Sequence, residues 1–240
     1  MSSLPRIARR LIFYTYPHDL TRDTTLLLSF ASVNPQEFYK DISHYNIDGC
    51  FLVPTAWKVL RVSGGNVGTA ASATYSARLA FGVRQSDYKN LTIPETYVEI
   101  GLGQSTQLST NSEGFVHWSL PVAQQVGSDK SPDHGTLKAI NNTGGQSDIC
   151  IGSLNAEKSM FSPMICWPRV NNGATAAVDF LPHLHVYAYS GLQETDLIRG
   201  EVENFLGNWD LSLLQGLPTD NRFHLFEDKN DGQRLRLVKD

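Results

Sequence analysis

The stretch Leu181-Pro-His-Leu-His-Val-Tyr-Ala-Tyr-Ser-Gly191, which runs straight into Leu192-Gln-Glu-Thr-Asp-Leu197, alternates with a period of two. Successive side chains of a β-strand point to opposite faces, so Leu184, Val186 and Ala188 share one face and His183, His185, Tyr187 and Tyr189 share the other. Neither face is charged. Tyr and His join apolar area to a polar tip, so such a strand suits a core on its aliphatic side and another protein surface on its ring-bearing side. The alternation therefore predicts a strand of an assembling subunit rather than of a free catalyst.

Working outward, the rest of the chain is mostly strand and turn. Thr24 to Val33 alternates Leu26, Leu28 and Phe30 with Leu27, Ser29 and Ala31. Asn34-Pro-Gln-Glu37 then carries a capping residue, a proline suited to the first helical position and a capping-box acid, which predicts a short helix through Phe38, Ile42 and Tyr45. Phe51 to Val62 reads as a strand closing at Ser63-Gly-Gly-Asn66. Thr74 to Arg84 places Tyr75, Ala77, Leu79, Phe81 and Val83 on one face. Thr96 to Gly101 reads as strand and Gly103 to Gly114 as a polar, turn-rich excursion. Phe115 to Ala123 brings Val116, Trp118, Leu120 and Val122 together, with Pro121 marking an edge or a strand end. Strands follow at Leu137 to Ile140, Asp148 to Leu154, Met164 to Val170 and Ala174 to Phe180. With one helical turn or two at Glu201 to Leu206, the total is eight to ten strands at the spacing of a sandwich or barrel.

Composition bounds the function. The 240 residues are 41% hydrophobic, enough for one substantial core, and the formal charge of −4 argues against a protein whose main task is to bind phosphate backbones. Cys50, Cys150 and Cys166 form an odd set with no CxxC pair, which makes a disulfide scaffold an unfavoured expectation. The basic start, Met-Ser-Ser-Leu-Pro-Arg-Ile-Ala-Arg-Arg-Leu, has no long apolar run behind it, so neither a secretory signal nor membrane insertion is expected. The sequons at Asn90 and Asn141 read as ordinary polar turns.

Catalytic motifs are scarce. No phosphate-binding GxxxxGK[ST], GxSxG, HExxH or EF-hand loop is present; Gly101-Leu-Gly103 and Gly64-Gly-Asn-Val-Gly68 read as turns, and Asp228-Lys-Asn-Asp-Gly232 as a solvated turn. His183 and His185 are the weak candidates for metal ligands, with Asp179, Glu194 and Asp196 nearest in sequence, but a strand histidine beside tyrosine more often packs than ligates. Ser119, His117, Asp133 and His134 show no spacing that favours a triad. Trp57, Trp118 and Trp167 sit among apolar neighbours and read as core, whereas Trp209 is the better candidate for an exposed contact.

Taken in order, the strand motifs resemble the jelly-roll capsid proteins of picorna-like viruses over about residues 24–198. The elements that carry the likeness are Thr24 to Val33 with the helix after it, then Phe51-Leu-Val-Pro-Thr-Ala-Trp-Lys-Val-Leu-Arg-Val-Ser-Gly64, with Trp57, Lys58 and Arg61 as its aromatic and basic centre. Ala77-Arg-Leu-Ala-Phe-Gly-Val-Arg84, Trp118-Ser-Leu-Pro-Val122 and the closing Leu184-His-Val-Tyr-Ala-Tyr-Ser-Gly-Leu-Gln-Glu-Thr-Asp196 complete it.

The resemblance implies an all-β, eight-stranded antiparallel jelly-roll sandwich with one or two short helices and extended terminal arms. Its parts would be an N-terminal arm (1–23), the jelly-roll domain (24–198) and a C-terminal tail (199–240). It implies a non-enzymatic structural subunit of an icosahedral virion, without cofactors, assembled in the host cytoplasm with copies of itself or related coat proteins. A host receptor is a further partner of such a particle. Subunit contacts are expected at Phe13, Tyr14, Tyr16, His183, His185, Tyr187, Tyr189, Trp209 and the tail Leu211 to Leu217. The arm holds four arginines against Asp19 and Asp23, so only modest contact of genomic RNA with Arg6, Arg9 and Arg10 on the inner surface is expected. The alternatives are a lectin-like carbohydrate-binding β-sandwich, and a cupin-like metalloenzyme built on His183 and His185.

Overall fold

The structure, a computed structural model, describes residues 8–30, 52–84, 94–124, 136–155, 157–180, 182–212 and 220–240. Among them the chain forms strands β1 (Ala8–Tyr14), β2 (Thr24–Phe30), β3 (Val53–Pro54), β4 (Lys58–Val62), β5 (Ala70–Ser76) and β6 (Leu79–Arg84). There follow β7 (Pro94–Ile100), β8 (Gln104–Thr110), β9 (Val116–Trp118), β10 (Val122–Ala123), β11 (Thr136–Asn142) and β12 (Ser147–Leu154). The last six are β13 (Phe161–Val170), β14 (Thr175–Asp179), β15 (His183–Ala188), β16 (Phe205–Asp210), β17 (Asp220–Asp228) and β18 (Arg234–Lys239). The all-β class therefore holds, in several mainly antiparallel sheets consistent with a sandwich. The count of strands exceeds the eight to ten expected, and the helix expected from Asn34 lies outside the described residues.

Four sheets share one core. Their strand orders are β18-β17-β1-β5, β16-β15-β2-β4, β3-β13-β12-β6-β7 and β10-β8-β11-β14, with β9 also paired to β8. One continuous cluster of buried side chains draws on all four: Phe13 and Phe223 from the first, Phe30 and Leu184 from the second, Phe81 and Ile149 from the third, Leu108 and Leu137 from the fourth. Phe30 sits at its centre, edge-on to Trp57 at 5.0 Å and tilted against Tyr75 at 5.5 Å. Trp57 and Trp167 are buried and Trp118 packs partly buried against Phe81, as their apolar neighbours predict.

The terminal segments depart furthest from expectation. Residues 8–14 are not an arm lying on a surface: β1 pairs antiparallel with β5 from Ala8↔Ser76 to Tyr14↔Ala70, and parallel with β17 from Arg10↔Asp220 to Tyr14↔His224. The segment expected as a C-terminal tail over 199–240 supplies β16, β17 and β18, and Phe223 and Leu225 are fully buried. No helical turn forms at Glu201 to Leu206; Phe205 instead opens β16. Among the described residues two pairings are parallel, β1/β17 and β8/β11, against the antiparallel order expected.

Breaks in single apolar runs explain most of the extra strands. Thr74 to Arg84 divides at Ala77-Arg78: β5 stays with β1 while β6 joins β12 and β7 in another sheet. Arg78 secures the corner by a two-pronged pair with Glu99, at 2.8 and 3.1 Å, and Lys158 reaches the same carboxylate at 2.6 Å. Pro121 breaks an edge as anticipated, leaving β9 and β10 as two short strands along one side of β8. The segment read as turn-rich, Gly103 to Gly114, contains β8. Its alternation of Thr106 and Leu108 inward with polar residues outward was masked by low hydrophobicity.

β12 and β13 form the most extensive hairpin, and two irregularities in it accommodate prolines. Pro163 stands opposite Gly152 at one register shift, where a β-carbon on Gly152 would collide with the Ser162 carbonyl; Pro168 lies within the other. Cys150 and Cys166 face each other directly across this pair and are joined as a disulfide, with Cα atoms 3.9 Å apart. One bridge is thus present where the odd cysteine count had argued against disulfide chemistry. Nearby, the sequon residue Asn141 is not a polar surface turn. It is fully buried and donates to the carbonyls of Gly145 (2.8 Å) and Val170 (2.7 Å).

Phe13 tests whether the amino-terminal segment is structural core or accessory arm. Its ring stacks on Phe223 at 5.0 Å, and both are fully buried. Urea denaturation of Phe13→Ala is expected to show a loss of about 3–5 kcal/mol, the usual cost of emptying a buried phenylalanine site; an arm residue would change stability by less than about 0.5 kcal/mol.

Candidate interaction surface

Strand β15 lies between β2 and β16, with Leu184↔Phe30 and Leu184↔Trp209 in register. Leu184 and Val186 point into the main core as the alternation requires. The opposite face is also covered. His185 and Tyr187 are buried, because residues 192–205 fold back over them and place Leu192, Ile198 and Val202 against Tyr187, Leu27 and Ala56. Phe205 adds its ring at 5.8 Å from His185 and 5.4 Å from Tyr187.

The acidic turn is the clamp that holds this cover. Thr55 bridges Leu197; the Thr195 amide donates to the Ala56 carbonyl at 2.7 Å, Ala56 to Asp196 at 2.8 Å, and Ile198 to Pro54 at 2.9 Å. Lys58 pairs with Glu194 at 2.9 Å. The row His183, His185, Tyr187, Tyr189 is therefore split. Its two middle members are buried in the chain's own interior, His183 is half-buried, and only Tyr189 is exposed. Period two told which residues share a face; it carried no signal that a later segment would cover that face.

The other expected contacts are also redistributed. Phe13 is core, and Trp209 is half-buried with its ring over Gly207 and edge-on to Phe223 at 4.8 Å, not an exposed contact. Leu211 is buried, and residues 213–219 lie outside the described residues, as does Arg6. Arg9 is buried within the β1 sheet and so cannot present its charge to RNA, whereas Arg10 is exposed. Among the described residues no three His, Cys, Asp or Glu side chains gather as a metal site would require.

Tyr14 and Tyr16 enter a polar-aromatic cluster where β1 runs beside β17. Tyr14 stacks on His224 at 5.2 Å under the Arg222 guanidinium, 4.8 Å from the ring centre, and donates its hydroxyl to Asp240 at 2.8 Å. Tyr16 is exposed and meets His224 edge-on at 5.0 Å; His224 Nε2 in turn lies 2.6 Å from Asp19 Oδ2. The hydrogen bond to Asp240, followed by burial, pushes the Tyr14 phenol up to about 12.

One surface feature is more prominent than any of these. Along the β9–β10 edge, Leu120 is 86% exposed, Phe115 66% and Val122 60%, and Leu102 in the β7–β8 turn is likewise exposed. The sequence grouped Leu120 and Val122 with Trp118 on one face. Of that group, which also included Val116, Val116 and Trp118 are drawn inward against the core, Trp118 beside Phe81, while Leu120 and Val122 stay in solvent. Comparison with family models, curated proteins and solved structures finds no match to this chain.

Because its folded pKa stands above the ordinary value near 10, Tyr14 contributes its stabilisation fully below about pH 10 and loses it as pH rises through about 12. Phenolate absorbance, taken as the difference between wild type and Tyr14→Phe, should place this titration near the upper value. Asp240→Asn should return it toward the ordinary one.

Proposed function

We propose that the chain is a non-enzymatic structural subunit of an icosahedral virus shell, built on a jelly-roll-like sandwich. Its partners would be copies of itself or related coat proteins, with genomic RNA touching the inner surface modestly and a host receptor the outer. It would need no cofactor and would reside in the virion after assembly in the host cytoplasm. The observation that carries the proposal is the exposed apolar edge at Phe115, Leu120 and Val122. Phe115 and Leu120 flank β9 and Val122 lies in β10, so three large apolar side chains stand exposed along one sheet edge; such an edge invites pairing with another chain, and a protein that stays alone normally blunts it with charge.

The strand order lends support to the jelly-roll element of the proposal. β15, which the sequence suggested as a closing strand, pairs antiparallel with β2, the first strand of the 24–198 segment. A late strand that returns beside an early one is the Greek-key arrangement from which jelly rolls are made. The position of residues 8–14 and 220–228 changes the way neighbours would be tied: with these segments used inside the subunit, contacts fall to loops and sheet edges instead of arms.

Negative-stain microscopy and light scattering of the chain, expressed alone and together with related coat proteins, are expected to show closed spherical particles. Leu120→Asp with Val122→Asp should prevent assembly while shifting stability by no more than about 0.5 kcal/mol, as surface changes usually do. A soluble monomer that binds glycans and never assembles would point instead to the lectin alternative.

A further inference from the structure

An open groove of about 550 Å³ lies where the start of β2, the ends of β15 and β16 and the β17–β18 hairpin come together. That volume falls in the range of small-molecule sites. Its frame is tied by backbone bonds, Tyr189 donating to Thr25 at 3.0 Å and Ala188 to Asn204 at 3.0 Å. Phe205 is held by tilted ring contacts with His185 and Tyr187, yet remains 44% exposed, which leaves part of a held aromatic ring available at the groove. Tyr189, 37% exposed, stands beside it on the groove wall.

The charge of the groove is positive. Arg22 and Arg234 both line it, and neither guanidinium forms an ion pair among the described residues. The one carboxylate on the wall, Asp23, is already spent: Arg61 takes Oδ2 at 2.7 and 3.2 Å, and the Gly64 amide takes Oδ1 at 3.1 Å. Those same two partners hold the Asp23 carboxyl below its usual range. Asn204 and Gln233 also line the groove, and both adopt left-handed backbone, at φ of 57° and 62°. Non-glycine residues seldom hold that conformation without a local reason.

We propose that this groove binds a nucleoside phosphate, with the phosphate held by Arg22 and Arg234 and the base stacked on Phe205. Guanidinium forks match phosphate oxygens, aromatic rings stack on any base, and side-chain amides can serve base or ribose edges. A neutral sugar fits less well, because the carboxylate that would accept its hydroxyls is engaged by Arg61 and Gly64, whereas an acidic sugar could use the arginines but gains less from the exposed Phe205 ring than a base does. The same chemistry is offered by a free mononucleotide and by one residue of a single-stranded nucleic acid. The inference does not depend on the chain being a shell subunit, and its readout is separate from particle assembly.

Calorimetry with uridine monophosphate, uridine and N-acetylneuraminic acid, and anisotropy with a short labelled oligouridylate, test it on the full chain. Uridine monophosphate is expected to bind and uridine to bind at least about tenfold more weakly, the scale of one charge-assisted hydrogen bond. Arg22→Glu and Arg234→Glu should each weaken phosphate-bearing ligands by about tenfold and flatten the salt dependence. Phe205→Ser should cost roughly tenfold and Phe205→Tyr little. Should Phe205→Ser fail to fold, the tyrosine variant, the two arginine variants and amide shifts at Ser190 and Gln233 on adding uridine monophosphate carry the test. Tighter binding of the oligomer with the same dependence on Arg22 and Arg234 identifies a strand as the ligand, and equal binding identifies the mononucleotide. Absence of binding by both, indifference to all the substitutions, or preference for the acidic sugar overturns the proposal.

Discussion

The parallel register of β1 on β17 is the constraint on which the rest of the fold depends. Arg10 to Tyr14 are hydrogen-bonded to Asp220 to His224 on one side and to Ala70 to Thr74 on the other, so β1 is an interior strand. Remove it and two sheet edges are opened at once, while Leu11 and Phe13 leave the core and Phe223 loses the ring it stacks on. The backbone donors and acceptors of β5 and β17 so released would form bare sheet edges, open to pairing with another chain. The cluster of Tyr14, His224, Arg222, Asp19 and Asp240 lies along the same pairing, so the polar contacts there reinforce the register.

How far the sequence discloses this arrangement depends on distance along the chain. Local signals were sound: period two placed β2 and β15, short strand-like runs between turns marked β7, β12 and β14, and Gly-rich and Asp/Asn-rich runs marked the turns at 63–66 and 228–232. Leu184 and Val186 inward followed from alternation alone. Pairings between distant segments were not legible, since a short apolar run such as Leu11-Ile-Phe13 reads equally as an arm on a surface or a strand in a sheet. Burial of both faces of β15 was hidden for the same reason, because the covering residues Ile198, Val202 and Phe205 carry no strong period of their own. The cysteine pair shows the limit of counting: an odd total says nothing about two residues that register sets face to face. The groove residues Arg22, Tyr189, Phe205 and Arg234 come from four separate segments, and no linear motif joins them.

What is covered and what is left open together shape the functional reading. The chain covers the middle of its histidine and tyrosine row, His185 and Tyr187, with its own residues, while a different edge carries large apolar side chains into solvent. The first observation leaves Tyr189 and part of His183 as the members of that row still open to solvent. The second supplies a surface whose burial would be favourable at about 25 cal/mol per Å² of apolar area removed from water. An assembly driven by such an edge is non-directional in its hydrophobic part, so specificity would rest on the register that exposed backbone groups of the edge impose on a partner.

The β1–β17 pairing also sets an order of events during synthesis. Tyr14 and Asp240, joined by a hydrogen bond, are separated by 226 positions, and β2 likewise waits for β15. On a ribosome, strands made early would stand with unpaired edges while most of the chain is still being added. Such long-range closure is slow because loop entropy must be spent before any contact compensates for it. A nascent chain in that condition is exposed to aggregation, which makes its passage through translation, more than the stability of the finished fold, the step at which holding factors would matter.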